Sequence, residues 1–308
     1  MGRARFFKWI IFSSIIFTVF LAGALVFYRR PPVLMVSDAL FDQLYGMPRI
    51  RKARLLNSLR LFRRVKTVQV SDTAGADVIL FAVEEASGAP YCAAFPYRYI
   101  EAAAQYSRKF PETPVLLLAG RERPSPEGAA LRYFGTESKT DFYRAGRCAA
   151  LFAEGAEGRM EGEIVCFQDE PVPGDDWDAF TQGLRDQGYA QTPVYMNSQS
   201  DYLPSEQTAC AVITSGSPKF LEGASDIPVI LFSWADPDSA PRRIKLIFDD
   251  SPWAQLFPAL QRGLSAGAAA DAPSQVLVLA ERIPQKDRVK KIKDAALAKP
   301  LDLRGALK

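Results

Sequence analysis

Two rhythms of hydrophobic and polar positions alternate along the chain. In one, the residues are apolar over most or all of their length: 33–36, 77–82, 115–120, 164–167, 209–214, 229–232, 244–248 and 276–279. Together with 65–70 and 193–196, these runs predict strands. In the other, apolar residues recur every third or fourth position, which predicts helices over 49–62, 96–110, 141–154, 176–187 and 251–264, with a short one near 218–221. Strands that are apolar throughout and separated by helices indicate a parallel sheet covered on both faces. About ten strands are many for one sheet, and the series begins afresh near residue 160. The expected fold is therefore α/β, with two doubly wound parallel-sheet lobes joined by hinge crossovers.

The amino terminus follows a different pattern. Basic residues Arg3, Arg5 and Lys8 precede an uncharged run from Trp9 to Tyr28, closed by Arg29 and Arg30. Twenty helical residues at about 1.5 Å each span about 30 Å, the thickness of a hydrocarbon core. The charges ahead of the run favour a cytoplasmic amino end, with the body in the periplasm or outside the cell. Leu21-Ala22-Gly23-Ala24 has the form of a lipobox with alanine in place of the lipid-bearing cysteine. Ala22-Gly23-Ala24 also fits a small-x-small cleavage site, so a retained single-pass anchor and a cleaved signal peptide both stand. The expected organisation is a transmembrane helix or signal anchor over 1–30, a first lobe from 31–137 plus 249–280, a second lobe from 138–248, and a basic tail from 281–308, read as a solvated end.

Composition narrows the chemistry. The chain has 308 residues and no histidine, which removes His-based triads, His general bases and most zinc sites. Cys92, Cys148, Cys166 and Cys210 form no CxxC pair. Cys166 and Cys210 lie in apolar runs and read as buried thiols, with a disulfide left open outside the cytosol. Residues 1–30 and 281–308 each carry a net charge of +5, so 31–280 carries −7 against the total of +3. An acidic body argues against nucleic acid as a partner. Neither GxxxxGK[ST] nor GxSxG occurs. Asp38 and Asp169 are types suited to acid and base roles, yet no nucleophile motif accompanies them, so neither an enzyme nor a cofactor is expected.

Several segments carry a family resemblance. Val33 to Asp38 looks like an opening strand whose end meets ligand. Tyr133-Phe134-Gly135-Thr136 followed by Asp141-Phe142-Tyr143-Arg144-Ala145-Gly146 looks like a crossover between lobes. GEIVCFQDE and DAFTQGLRDQG look like the first strand and helix of a second lobe, and Ile227-Pro228-Val229-Ile230-Leu231-Phe232 like a strand before a ligand-facing turn. In this order, over about residues 33–280, the chain resembles the type 1 periplasmic-binding-protein superfamily, which includes sugar- and nucleoside-binding proteins and LacI-like effector domains. The resemblance implies a solute-binding protein that clasps a small polar ligand, with an ABC-type permease or an envelope protein as partner. The sequence departs from the family in three ways. Asp176-Trp177-Asp178 stands where an arginine is common, the second lobe is short between Asn197 and Ala209, and the lipid-bearing cysteine is missing. The alternative is a degenerate binding fold kept as an envelope interaction module.

In an open parallel sheet, ligands bind where the loops leave the carboxyl ends of the strands. The candidates there are Asp38, Phe41, Arg121, Asp169, Trp177, Ser215, Trp234 and Asp236. Carboxylates and arginine suit hydroxyls or a base edge, and the rings suit a flat sugar or purine face. Three have a plainer role: Asp38 as a helix cap, Trp177 as a packing residue, Arg121 as a surface charge. Asp141 reads as the cap of its helix.

Overall fold

Val33–Asp38 (β1) is buried at every position, as a central parallel strand must be. A computed structural model describes residues 2–86, 88–120, 130–155, 160, 162–197, 200, 207–216, 227–233, 243–284 and 286–299. Gly2–Arg29 (α1) is one helix, and its window from Phe12 to Arg29 is long and apolar enough to cross a membrane. After β1 come Ala39–Tyr45 (α2), Met47–Leu61 (α3), Val65–Val70 (β2), Ala76–Ala86 (α4), Cys92–Pro96 (β3), Ile100–Lys109 (α5), Val115–Gly120 (β4) and Arg132–Thr136 (β5). The chain continues with Ser138–Ala153 (α6), Glu163–Phe167 (β6), Gly174–Asp186 (α7), Val194–Met196 (β7), Thr208–Ile213 (β8), Val229–Phe232 (β9) and Ile244–Asp249 (β10). Pro252–Gln261 (α8), Ala269–Ala272 (β11), Gln275–Val278 (β12) and Lys286–Ala296 (α9) complete it.

The strands form two six-stranded sheets, ordered β11-β5-β4-β3-β1-β2 and β12-β10-β9-β8-β6-β7. All pairings are parallel except β10 with β12. The two-lobed α/β architecture expected from the sequence is thus the one observed. The chain passes between sheets three times: from β5 to α6, from β10 to α8, and from β11 to β12. In lobe one both faces are covered. One layer packs α4 and α5 residues such as Ile79, Ala103 and Tyr106 against Leu34, Phe95 and Leu117, and the other packs Tyr45, Ile50, Trp253 and Leu256 against Met35 and Leu116.

Lobe two holds α6, α7 and α9 on one face. Gly146 and Gly183 let α6 and α7 touch backbone to backbone. A Cβ on Gly146 would lie 2.1 Å from the Phe180 carbonyl oxygen, and one on Gly183 the same distance from that of Tyr143.

Four expectations require correction. Residues 77–82 are helix, because only Ile79 and Val83 of α4 are buried while Val78 and Phe81 are exposed. Residues 275–278 pair with β10, so the return into lobe one ends at Ala272 rather than 280. Much of the basic tail is α9, whose Ile292, Ala295 and Ala296 are buried in the lobe-two core. Asp141 is no cap: α6 begins three residues earlier, and the carboxylate serves the hinge instead. The four cysteines are free and buried. Cys166 faces Val212 in the β6–β8 register, with Cys210 opposite Ile164. Burial pushes the Cys92 and Cys148 thiols up to about 12, which makes them unreactive.

Candidate ligand cleft

At the carboxyl ends of lobe one, Asp38 is 1% exposed and fully engaged. Its Oδ1 accepts from the Phe41 backbone N–H at 2.7 Å, capping α2. Its Oδ2 accepts from the Tyr99 hydroxyl at 3.0 Å and from Arg98 Nη1 at 3.2 Å. The other Arg98 amino group donates to the Asp72 carbonyl at 3.0 Å. Beside this, Asp42 accepts from Ser37 Oγ and from Gln69 Nε2, the latter at 2.6 Å. Burial, and then Asp38 itself, push the Tyr99 hydroxyl above its ordinary value, so it stays protonated as a donor.

At the matching ends of lobe two, Ser215 Oγ accepts from the backbone N–H groups of Asp169 (3.0 Å) and Glu170 (2.9 Å). One hydroxyl thus ties the β8 end to the β6 end, leaving both carboxylates exposed. Gly216, at φ +78°, lies against the Asp169 carboxylate, and a Cβ there would come within 2.1 Å of Oδ2. The close approach requires glycine.

The crossovers are held by polar contacts. Gln255 accepts from the Ala119 N–H at 2.7 Å and donates to Thr136 Oγ1 at 2.7 Å. The Tyr45 hydroxyl donates to Asp249 Oδ2 at 2.6 Å, and Gln275 Nε2 to the Ala254 carbonyl at 2.7 Å. Buried Asp141 accepts from the Ser274 N–H, at 2.9 Å to Oδ1, and from its hydroxyl. Desolvation pushes the Asp141 carboxyl up to about 8 despite those donors.

The structure brings Asp169 and Ser215 together and sets Asp38 at the strand ends of the other lobe. Phe41 is in the core, stacked on Tyr45 at 5.3 Å. Trp177 is half-buried among Phe142, Phe180 and Tyr195, with its indole N–H on Gln168 Oε1 at 3.0 Å. Arg121, Trp234 and Asp236 lie outside the described residues. Sequence reasoning missed Arg98, whose side chain is 40% exposed. It follows the short strand Cys-Ala-Ala-Phe-Pro, whose small residues and closing proline gave no strand signal to mark its loop. Among the described residues no group of three His, Cys, Asp or Glu side chains is placed to hold a metal ion.

No family model matches the sequence, and no curated protein matches it either. Solved structures do. An ABC-transporter solute-binding protein from Conexibacter woesei superposes with a TM-score of 0.60 at 10% identity, covering 87% of this chain and 95% of its own. A transcriptional activator of the comK gene from Bacillus halodurans gives 0.55 at 12% identity, covering 88% and 100%. This likeness shows a shared two-lobed α/β fold.

Proposed function

We propose that this chain is a membrane-anchored extracytoplasmic solute-binding protein. It closes on a small polar ligand, of sugar or nucleoside class, for transport or sensing. One observation carries the reading: two parallel-dominated sheets are linked by three crossovers, and sheets of this kind bind ligand at the carboxyl ends of their strands. Near those ends lie Arg98 in one lobe, and Asp169 and Glu170 in the other. These suit a ligand rich in hydroxyls. Hinge closure would bring the two sets together. Helix α1 supplies the anchor.

A thermal-shift panel of sugars, nucleosides and amino acids tests this. Ligand at 100-fold over its dissociation constant should add about 2.7 kcal/mol of stability. No shift across the panel would reject small-ligand binding.

A second reading, an envelope interaction module without small ligand, draws support from Asp38, Phe41 and Trp177. All three side chains are engaged within their own lobe. A defined protein recovered from detergent extracts, with no response to the panel, would favour it.

A further inference from the structure

We propose that the strand-start end of lobe one is a membrane-contact surface. It would rest on anionic phospholipid headgroups of the bilayer crossed by α1, so this inference builds on the anchor reading above.

The connection leaves little freedom. Helix α1 ends at Arg29 and β1 begins at Val33, so the three residues between them reach about 10 Å at most. That link is also stitched to the body. Arg63 Nη1 donates to the Pro31 carbonyl at 3.3 Å, the Tyr91 N–H to the Pro32 carbonyl at 2.8 Å, and the Val33 N–H to the Arg64 carbonyl at 2.9 Å. Helix α1 itself touches this end: the Phe27 ring lies 5.8 Å from that of Phe62, and the Arg64 guanidinium 5.8 Å from the Tyr28 ring.

Strand direction then orients the lobe. In the parallel register, Val33 is opposite both Val65 and Cys92, so β1, β2 and β3 all start at the α1 end. The cleft is at the other end of these strands, about 20 Å away for six residues at about 3.3 Å each.

The chemistry of this end suits headgroups. From the last turn of α3 to the start of β2 the chain carries Arg60, Arg63, Arg64 and Lys66, with no acidic residue from Leu59 to Val70. Arg30 lies over Phe62 at 5.1 Å and Arg63 over Tyr91 at 3.8 Å, and both rings are partly exposed. Interleaved aromatic and arginine side chains are what the interfacial region accepts. Arg132 lines a cavity of about 50 Å³ with Tyr91, Leu260 and Leu264. Leu55 and Leu59, one turn apart on α3, are about 60% exposed. Glu84 and Glu85 at the end of α4 also lie at this end, in the other helix layer, where Glu84 pairs with Lys109 at 2.6 Å.

Charge over the whole body acts in the same direction. Lobe one, residues 31–136 and 250–272, has fifteen basic and twelve acidic side chains, net +3; lobe two, residues 137–249 and 273–299, has sixteen and twenty-two, net −6. An anionic surface attracts the first lobe and repels the second. The cleft therefore stands off the bilayer with lobe two beyond it, an arrangement better suited to detecting solute than to handing it into the same membrane.

The test uses the full chain in nanodiscs of phosphatidylcholine, with or without phosphatidylglycerol. A fluorophore is placed at Leu59→Cys or Glu170→Cys and a quencher on the lipid headgroups. The expected result is several-fold stronger quenching at position 59 than at 170, raised by phosphatidylglycerol and lowered by salt. The double variant Arg60→Gln/Arg63→Gln, with its melting checked, should lose that lipid dependence. Equal quenching at both sites, or indifference to phosphatidylglycerol, would overturn the proposal. Alkaline extraction tests the anchor separately. A chain released by alkali that still shows the position-59 signal on added anionic vesicles would reject the anchor and keep the headgroup contact.

Discussion

The two lobes share a sheet topology and differ in almost everything that touches it. Lobe one carries net positive charge, and described helices cover both faces of its sheet. Lobe two is net acidic, with its basic residues concentrated in α9. Its described helices cover one face, and two of them meet through glycines at backbone contact. Topology alone therefore sets where a cleft lies, while the side chains decide which lobe faces a charged surface and how each lobe is held together.

Substitutions can separate these contributions. Gly183→Leu should have the largest effect. It drives a side chain into the Tyr143 carbonyl and costs about 3 kcal/mol. Amide exchange should show protection falling in α6 and α7 while β1 and β3 keep theirs. Equal losses in both lobes would mean that the lobes unfold as one unit.

Asp141→Asn acts between the lobes. The wild-type carboxyl titrates near 3.8 when unfolded and near 8 when folded. The folded state holds the proton more tightly, so wild-type stability should fall as pH rises from about 4 to about 8, at up to about 1.4 kcal/mol per pH unit. Asp250 and Arg144 act on this carboxyl with opposite sign. The asparagine variant should lose about 1–2 kcal/mol, since its amide group faces donors, and should show a flatter denaturation midpoint against pH.

Arg98→Ala touches only lobe one and should have the smallest effect. Its pair with Asp38 is 40% exposed on the arginine side, so the stability cost should stay below about 1 kcal/mol. If Arg98 also meets ligand, affinity in the thermal-shift assay should fall while the ligand-free melting temperature hardly moves.

Most of the strand and helix order was legible in the sequence because fully buried parallel strands are written in unbroken apolar runs. The failures have physical causes. Cys92–Pro96 is buried throughout but short, with two alanines and a closing proline, residues of weak strand preference, so Arg98 went unnoticed. In α4, exposed Val78 and Phe81 filled the gaps that reveal a helical period. In α9 three small or apolar contacts were hidden among charges. At the cleft, residue type alone could not tell that Phe41 turns into the core, or that the Trp177 indole is bonded within its own lobe. Those outcomes depend on neighbours distant in sequence, as does the pairing of Ser215 with Asp169.

The last crossover has a consequence for biosynthesis. Strands β11 and β12 are consecutive in the chain, yet each forms the outer edge of a different sheet. Helix α9, later still, completes the packing around Cys148. If the body is exported as proposed, both halves stay open until α9 has emerged. Translocation, not local folding, would then set the moment at which the two halves mature, and they would mature together.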